Sequence, residues 1–208
     1  MKRILLTRQK SVEDKKFFEN KGYECQILPL SKLVLRELSV AEIAELNQST
    51  WLIFTSQTPV QMILSHLKTP IKIACIGKKT ADEIRKYGYT PDFIAQDSTK
   101  TKMLADWQAK YAEQGQVFYP MSNLAESIAP FKNVICYDNQ AIPENMEKLK
   151  VLLENRQIDA VYLTSPSAWH RFYQLYKDYN YPLEIICIGT TTQVAIEKTG
   201  YKATIKEI

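Results

Sequence analysis

Short apolar runs alternate along the chain with stretches in which apolar residues recur every three or four positions. Continuous apolar runs are typical of strands covered on both faces, and strand–helix alternation favours parallel sheets. The pattern therefore predicts an α/β fold in which parallel sheets are flanked by helices. The expected strands lie near Arg3–Leu6, Trp51–Phe54, Lys72–Ile76, Gln116–Tyr119, Ala160–Leu163 and Glu184–Ile188.

One segment of this pattern occurs twice. Residues 73–90 align without gaps with residues 185–202, and nine of the eighteen positions are identical. Upstream of each copy a second pair of segments matches, Trp51–Ser56 and Ala160–Ser165. Solenoid repeats recur every ~20–50 residues. The much longer separation found here predicts two similar lobes instead.

Two extended segments, Leu28–Leu38 and Lys132–Pro143, interrupt the alternation on either side of the first copy. If both segments connect the lobes, the second lobe is continuous and the first is made of two pieces. We then expect residues 1–31 with 143–208 to form lobe 1, residues 36–131 to form lobe 2, and residues 32–35 and 132–142 to form connector strands.

Composition narrows the class of protein. The chain has 208 residues, 45% of them hydrophobic, and a formal net charge of +4, which excludes a disordered protein. No apolar run approaches the ~20 residues of a membrane span, and the start is unlike a signal peptide, so we expect a cytoplasmic protein without membrane contact.

The charge distribution and the Cys and His residues restrict which classes of ligand are expected. Lys and Arg are spread along the chain rather than clustered, so a small polyanion suits this charge at least as well as a nucleic acid, and a solvated surface is the alternative reason for it. Four separated cysteines and two histidines do not form a metal-binding pattern. We expect no metal ion.

Hydroxyl and backbone N–H donors follow the predicted strands, where helices begin. Such positions suit carboxylates or phosphates, because the first N–H groups of a helix are unpaired and carry partial positive charge. Capping of a helix is the alternative role for each Ser or Thr taken alone. Nucleotide-phosphate loops and a GxSxG nucleophile motif are absent from the sequence. The donor positions are Thr7-Arg8, Thr55-Ser56, Gly77–Thr80, Met121–Asn123, Thr164-Ser165 and Gly189–Thr192.

Six motifs occur in a fixed order over nearly the whole chain: Leu5–Arg8, Leu28–Leu30, Ile53–Ser56, Ile76–Ala81, Leu163–Ser167 and Ile188–Thr192. In this order they resemble the uroporphyrinogen-III synthase family. The resemblance implies two α/β lobes joined by a two-stranded connector, with an active-site cleft between them. It implies a monomeric enzyme, without metal or organic cofactor, that cyclises hydroxymethylbilane with loss of water and inversion of ring D.

The resemblance also implies roles for single residues. Tyr137, in the returning connector strand, is expected to assist departure of the hydroxyl group, with packing as the alternative role. Thr190 stands where the family usually has proline, and Gln193 stands where it has a small residue. A non-catalytic two-lobed binding protein for a small polyanion is the alternative function. The expected substrate-binding residues are Thr7, Arg8, Ser56, Thr80, Ser165, Thr191 and Thr192.

Overall fold

The structure is a computed structural model that describes residues 1–9, 12–95, 99–111, 115–179 and 181–207. Within these ranges, strands and helices alternate along almost the whole chain. In chain order the elements are β1 (Lys2–Leu6), α1 (Val12–Asn20), β2 (Tyr23–Ile27), β3 (Ser31–Leu35), α2 (Val40–Gln48), β4 (Trp51–Phe54), α3 (Val60–Ser65), β5 (Lys72–Ile76), α4 (Gly77–Lys86), β6 (Phe93–Ala95), α5 (Lys100–Lys110), β7 (Val117–Ser122), β8 (Lys132–Ala141), α6 (Pro143–Glu154), β9 (Ala160–Leu163), α7 (Pro166–Tyr176), β10 (Glu184–Cys187), α8 (Thr190–Glu197) and β11 (Thr204–Ile205).

Backbone contacts divide the chain into two compact units. Unit 1 consists of Met1–Lys32 and Gln140–Ile208, and unit 2 consists of Leu33–Asn139. Each unit has its own sheet and its own core. No helix in the described ranges is long and apolar enough to cross a membrane.

Unit 1 is built on a five-stranded sheet in the order β11-β10-β9-β1-β2, and its strand pairs are parallel. Successive side chains of a strand point to opposite faces of the sheet. Leu5 therefore packs in the core cluster that contains Leu149 of α6 and Trp169 of α7, whereas Ile4 packs with Phe18 of α1. Helices thus cover both faces of the sheet.

Unit 2 contains a six-stranded sheet in the order β3-β8-β7-β4-β5-β6. The neighbouring pairs β8–β7, β7–β4, β4–β5 and β5–β6 are parallel. Leu52 faces the core formed with α2, α3 and α4, and Trp51 faces the core formed with α5. The parallel α/β architecture predicted from the apolar pattern is confirmed.

The two units have the same strand order when each is counted from its copy of the repeated segment. If the strands β4, β5, β6, β7 and β8 of unit 2 are numbered 1 to 5 along the chain, they lie side by side in the order 3-2-1-4-5. In unit 1 the strands β9, β10, β11, β1 and β2 lie in that same order. Unit 1 is therefore a circular permutation of the arrangement in unit 2, with the chain ends falling between β11 and β1.

Helix termination shows the same correspondence. Gly88 and Gly200 occupy identical positions in the repeat and have φ angles of +83° and +87°. Side chains rarely adopt this left-handed conformation, so glycine is favoured just after a helix. Both helices therefore end at the same position of the repeat.

Three strands were missed by the sequence analysis. β2 is mostly exposed, β6 has three residues, and β11 has two. Their apolar pattern is weak because edge strands bury little side-chain area. The extended segment Leu28–Leu38 was too long, since only Ser31–Leu35 forms a strand.

Candidate functional site

The predicted site residues lie at or beyond the carboxyl ends of parallel strands. In open parallel sheets, ligands bind at this edge, near the point where the strand order reverses. That point lies between β4 and β7 in unit 2 and between β9 and β1 in unit 1. Ser56 follows β4, Ser165 follows β9, and Thr7-Arg8 follow β1.

Tyr137 and Ser56 meet at this edge of unit 2. The Tyr137 hydroxyl donates to Ser56 Oγ at 3.2 Å, and the backbone N–H of Thr58 donates to the same oxygen at 3.1 Å. Both side chains are half-buried. Ser56 does not cap a helix, because α3 begins only at Val60. The pair thus places a phenol and an aliphatic hydroxyl beside each other at a partly open position.

The length of β8 places Tyr137 here. β8 has ten residues, whereas β2, its counterpart in unit 1, has five. An irregularity between Met121 and Ser122 shifts the β7–β8 register so that Ser122 pairs with Tyr137. Tyr137 therefore lies on an extension of the strand that β2 lacks.

A second hydroxyl pair nearby contains a buried tyrosine. Tyr119 on β7 is buried, and its hydroxyl lies 3.1 Å from Thr55 Oγ1. Burial raises the pKa of Tyr119, chiefly because the charged phenolate would be desolvated. Tyr119 packs in the core next to α5, whereas Tyr137 packs against the core on the other face of the sheet. Tyr119 is thus a structural tyrosine beside a more accessible one.

The first turn of α4 carries positive charge. Its N-cap residue, Ile76, provides no side-chain cap, and Lys78 and Lys79 are both exposed. Positive charges at a helix N-terminus oppose the helix dipole, and a bound anion compensates both. Thr80 is the residue of this turn that the family resemblance implies, but its side chain is buried. The exposed Lys78 and Lys79 were missed as site residues, although two consecutive lysines in a predicted first helical turn could have identified them.

The corresponding turn of α8 in unit 1 is neutral. Gly189 is its N-cap and provides no side-chain cap. The Thr190 and Thr191 side chains are exposed, whereas Thr192 is buried and its N–H donates to the Gly189 carbonyl at 3.1 Å.

The remaining predicted residues of unit 1 have partners within the unit. The Thr7 hydroxyl is buried and donates to the Tyr162 carbonyl at 2.9 Å. Ser165 is the N-cap of α7, where its Oγ accepts from the Ala168 N–H at 3.1 Å. Arg8 is half-buried and its Nε donates to Asp14 at 2.8 Å.

The seven predicted substrate donors thus separate into two groups. Four of them, Arg8, Ser56, Ser165 and Thr191, keep side chains that are half-buried or exposed. The other three, Thr7, Thr80 and Thr192, are 3%, 5% and 2% exposed and shape the strand ends from inside. Within the described ranges no group of three or more His, Cys, Asp or Glu residues is arranged to hold a metal ion. The accessible groups suit binding of carboxylates and transfer of a proton from a phenol.

Comparisons with known proteins agree on one family. The family model described as Uroporphyrinogen-III synthase HemD matches residues 13–207. The uroporphyrinogen-III synthase of Chlorobaculum parvum is 25% identical over 99% of this chain and 92% of its own length.

Solved structures show the same fold. A crystal structure of a mutant uroporphyrinogen III synthase from Thermus thermophilus aligns with a TM-score of 0.73 and 15% identity, covering 100% of this chain and 93% of that chain. The uroporphyrinogen-III synthetase of Helicobacter pylori aligns with a TM-score of 0.60 and 17% identity, covering 99% and 92%.

Proposed function

The chain belongs to the uroporphyrinogen-III synthase family, whose members are cyclising lyases of tetrapyrrole biosynthesis, and from this we propose how its residues act. We assign hydroxymethylbilane as the substrate and uroporphyrinogen III as the product. The observation that carries the assignment of the chemistry is the hydrogen bond between the hydroxyl groups of Tyr137 and Ser56 at the carboxyl edge of the unit 2 sheet.

The first chemical step needs an acid. Hydroxide is a poor leaving group, and a proton delivered to the hydroxymethyl oxygen allows it to leave as water. The pyrrole nitrogen supplies the electron pair that expels it. We assign Tyr137 as the acid. Its O–H, which donates to Ser56 Oγ in the structure, turns to the hydroxymethyl oxygen when the substrate is bound. The Ser56 hydroxyl then donates to the phenol oxygen and to the phenolate that is formed.

The second step forms a ring from a flexible chain. Loss of water leaves an electrophilic carbon, which ring D attacks through its substituted carbon to form a spiro intermediate. Rearrangement of this intermediate inverts ring D, and the proton that ring D loses as it becomes aromatic again is available to restore the Tyr137 phenol. The main task of the protein in this step is to hold the two ends of the bilane together. Because the bound bilane is already ordered, it loses less conformational entropy on reaching the transition state.

Substrate carboxylates supply the means of holding the chain. One bilane carries eight carboxylates, and the residues that we propose as donors to carboxylates are Arg8, Ser56, Ser165 and Thr191. Hydrogen bonds from charged or backbone donors to carboxylates are among the stronger ones in proteins. The buried hydroxyls of Thr7, Thr80 and Thr192 support the donors by fixing the backbone that carries them.

The proposed chemistry consists of proton transfer and positioning, so we assign no metal or organic cofactor to it. We further propose that the protein acts as a monomer in the cytoplasm and has no nucleic-acid partner. The dispersed distribution of Lys and Arg supports the absence of a nucleic-acid partner. Light scattering of the purified protein tests the monomer, and a stable dimer would contradict it.

Product analysis tests the proposed function. Purified protein is incubated with freshly made hydroxymethylbilane, the products are oxidised, and the porphyrin isomers are separated. We expect the type III isomer to dominate, against type I alone in a heat-inactivated control. Type I product alone at the spontaneous rate would reject the function and favour a protein that only binds a polyanion.

A further inference from the structure

Asn123 bonds to the part of β8 that carries Tyr137. The pairing of β7 with β8 ends at Ser122, which lies opposite Tyr137. Asn123 is the next residue along the chain, and its backbone N–H donates to the Tyr137 carbonyl at 3.1 Å. Its side-chain Oδ1 accepts from the Asn139 N–H at 2.8 Å. One residue thus bonds to the β8 backbone at two positions.

These two bonds have the pattern of a parallel ladder. In such a ladder, one residue uses its N–H and its C=O to bond to two residues of the neighbouring strand that lie two positions apart. Asn123 bonds to Tyr137 and Asn139 in this way, but the acceptor is its side-chain oxygen instead of its backbone carbonyl. Asn123 therefore acts as one more residue of β7, although that strand has ended.

The chain turns at this residue. The Ala125 N–H donates to the Ser122 carbonyl at 3.1 Å, which closes a turn over residues 122–125. Asparagine is common in turns because its short side-chain amide can form the bonds of a backbone amide. Asn123 thus allows the chain to leave the sheet while the ladder gains one further acceptor.

The other side of this part of β8 is bonded to Arg36. The Arg36 N–H donates to the Cys136 carbonyl at 2.8 Å, and its Nη2 lies 2.8 Å from Asp138 Oδ1. Arg36 follows β3, the edge strand next to β8. Arg36 therefore secures the β3 side of the segment, and Asn123 secures the side that faces β7.

The position of the Tyr137 phenol depends on this backbone. Its hydroxyl donates to Ser56 Oγ at 3.2 Å. A general acid must lie within hydrogen-bond reach of the oxygen that it protonates, and a misplacement of ~1 Å can slow a reaction ~100-fold. The bonds of Asn123 at residues 137 and 139 restrict the movement of the backbone that carries the phenol.

We propose that Asn123 is a positioning residue, whose side-chain oxygen holds the Tyr137 part of β8 in the place that proton transfer requires. The inference rests on the proposed function, because the position of Tyr137 affects turnover only if Tyr137 is the acid. Asn123 is not assigned to a substrate carboxylate. Its contribution therefore appears in kcat rather than in KM.

Steady-state kinetics with the complete chain tests this inference. Asn123→Ala removes the acceptor of the Asn139 N–H, and we expect kcat to fall about tenfold while KM changes less than about twofold. Asn123→Asp keeps an acceptor oxygen, so kcat should stay within about threefold of the wild type, while the added negative charge raises KM for a polyanionic substrate. A wild-type kcat in Asn123→Ala would overturn the inference, as would an Asn123→Asp variant that is as slow as Asn123→Ala.

Asn133 provides the matched control in the same connection between β7 and β8. Its Oδ1 accepts from the Ile128 N–H at 2.7 Å, and its Nδ2 donates to the carbonyls of Ile128 and Phe131 at 2.9 and 2.7 Å. We expect Asn133→Ala to lower the unfolding temperature and to keep kcat within about twofold. An equal fall of kcat in Asn133→Ala and Asn123→Ala would overturn the inference, since loosening of the whole connection would then explain both.

A double-variant cycle shows whether Asn123 acts through Tyr137. Once Tyr137→Phe has removed the phenolic hydroxyl, the position of this side chain no longer affects proton transfer. Adding Asn123→Ala to Tyr137→Phe should therefore cause no further decrease of kcat. Multiplying effects of the two substitutions would contradict positioning.

Amide hydrogen exchange at Asn139 gives a readout that does not depend on activity. In Asn123→Ala we expect the Asn139 amide to exchange about tenfold faster or more, because it loses its acceptor. Asn133→Ala and Asn123→Asp should exchange nearly as slowly as the wild type. Unchanged exchange in Asn123→Ala would overturn the inference, and so would faster exchange with an unchanged kcat.

A second variant and the wild type separate the possible failures. Asn123 is exposed, so its replacement leaves no buried cavity. If Asn123→Ala nevertheless does not fold, Asn123→Gln keeps the amide and shifts it by one methylene group. We expect kcat to fall about two- to fivefold in this variant, with faster exchange at Asn139, and no change in either quantity would overturn the inference. Absence of type III product from the wild type would instead reject the proposed function, which the exchange at Asn139 does not depend on.

Discussion

Equivalent serines in the two units have different partners. Ser165 directly precedes α7 and uses its hydroxyl to cap that helix, whereas Ser56 lies four residues before α3 and is bonded to Tyr137. Both serines follow the central strand of their sheet within matching sequence segments. A longer connection between strand and helix thus makes available in unit 2 a hydroxyl that unit 1 uses for its own stability.

Charge and strand length extend this contrast. Unit 2 has two exposed lysines in the first turn of α4, where unit 1 has two threonines in α8. Unit 2 also has the extension of β8 that carries Tyr137. Unit 2 therefore carries the proposed acid, whereas unit 1 carries most of the proposed binding residues.

Removal of the Tyr137 hydroxyl should have the largest effect. In Tyr137→Phe we expect kcat to fall about a hundredfold, as is typical for loss of a general acid, with little change in the unfolding temperature. Tyr119→Phe is the matched control on the neighbouring strand. It should keep kcat within about threefold and lose about 1 kcal/mol of stability, because Thr55 loses its partner. Equal kcat values for both variants would remove Tyr137 from the mechanism.

The equivalent serines should affect different quantities. Ser165→Ala removes a helix cap, which costs about 1 kcal/mol and lowers the unfolding temperature by about 2–4 °C. It also removes a proposed substrate donor, so we expect KM to rise while kcat stays unchanged. Ser56→Ala removes no cap, and we expect it to lower kcat about tenfold through loss of the orientation of Tyr137 while stability changes little. Kinetics and thermal unfolding of the two variants, measured side by side, check this. If Ser56→Ala were the less stable and fully active variant, the contrast between the units would be wrong.

The smallest effect should distinguish charged from neutral donors. For Lys78→Met/Lys79→Met we expect KM to rise about threefold at low ionic strength, and the difference from the wild type should shrink as salt is added. For Thr190→Val/Thr191→Val we expect a rise of about twofold that salt does not change. Salt-independent KM values in the lysine variant would show that these charges do not act on the substrate.

The sequence was most informative where strands are buried and where the repeat occurs. The central strands have continuous apolar runs, and the glycines at the helix ends coincide in both copies, so the parallel α/β architecture followed from local patterns. Edge strands such as β2 and β11 were missed because they are short and exposed.

The site was less predictable because side-chain direction depends on tertiary packing. A threonine in a first helical turn looks alike in sequence whether it is exposed, as Thr191 is, or buried, as Thr80 and Thr192 are. Asp14 and Lys206 are joined by a hydrogen bond although they are far apart in the chain, and no local pattern connects them.

The role of Tyr137 as an acid is tested most directly by changing the leaving group. A bilane in which the hydroxyl is replaced by an ester leaving group needs no proton at that step. We predict that Tyr137→Phe is about a hundredfold slower than the wild type with hydroxymethylbilane but nearly equal to it with the ester. The same hundredfold ratio with both substrates would contradict the account, because Tyr137 would then act on something other than departure of the hydroxyl group.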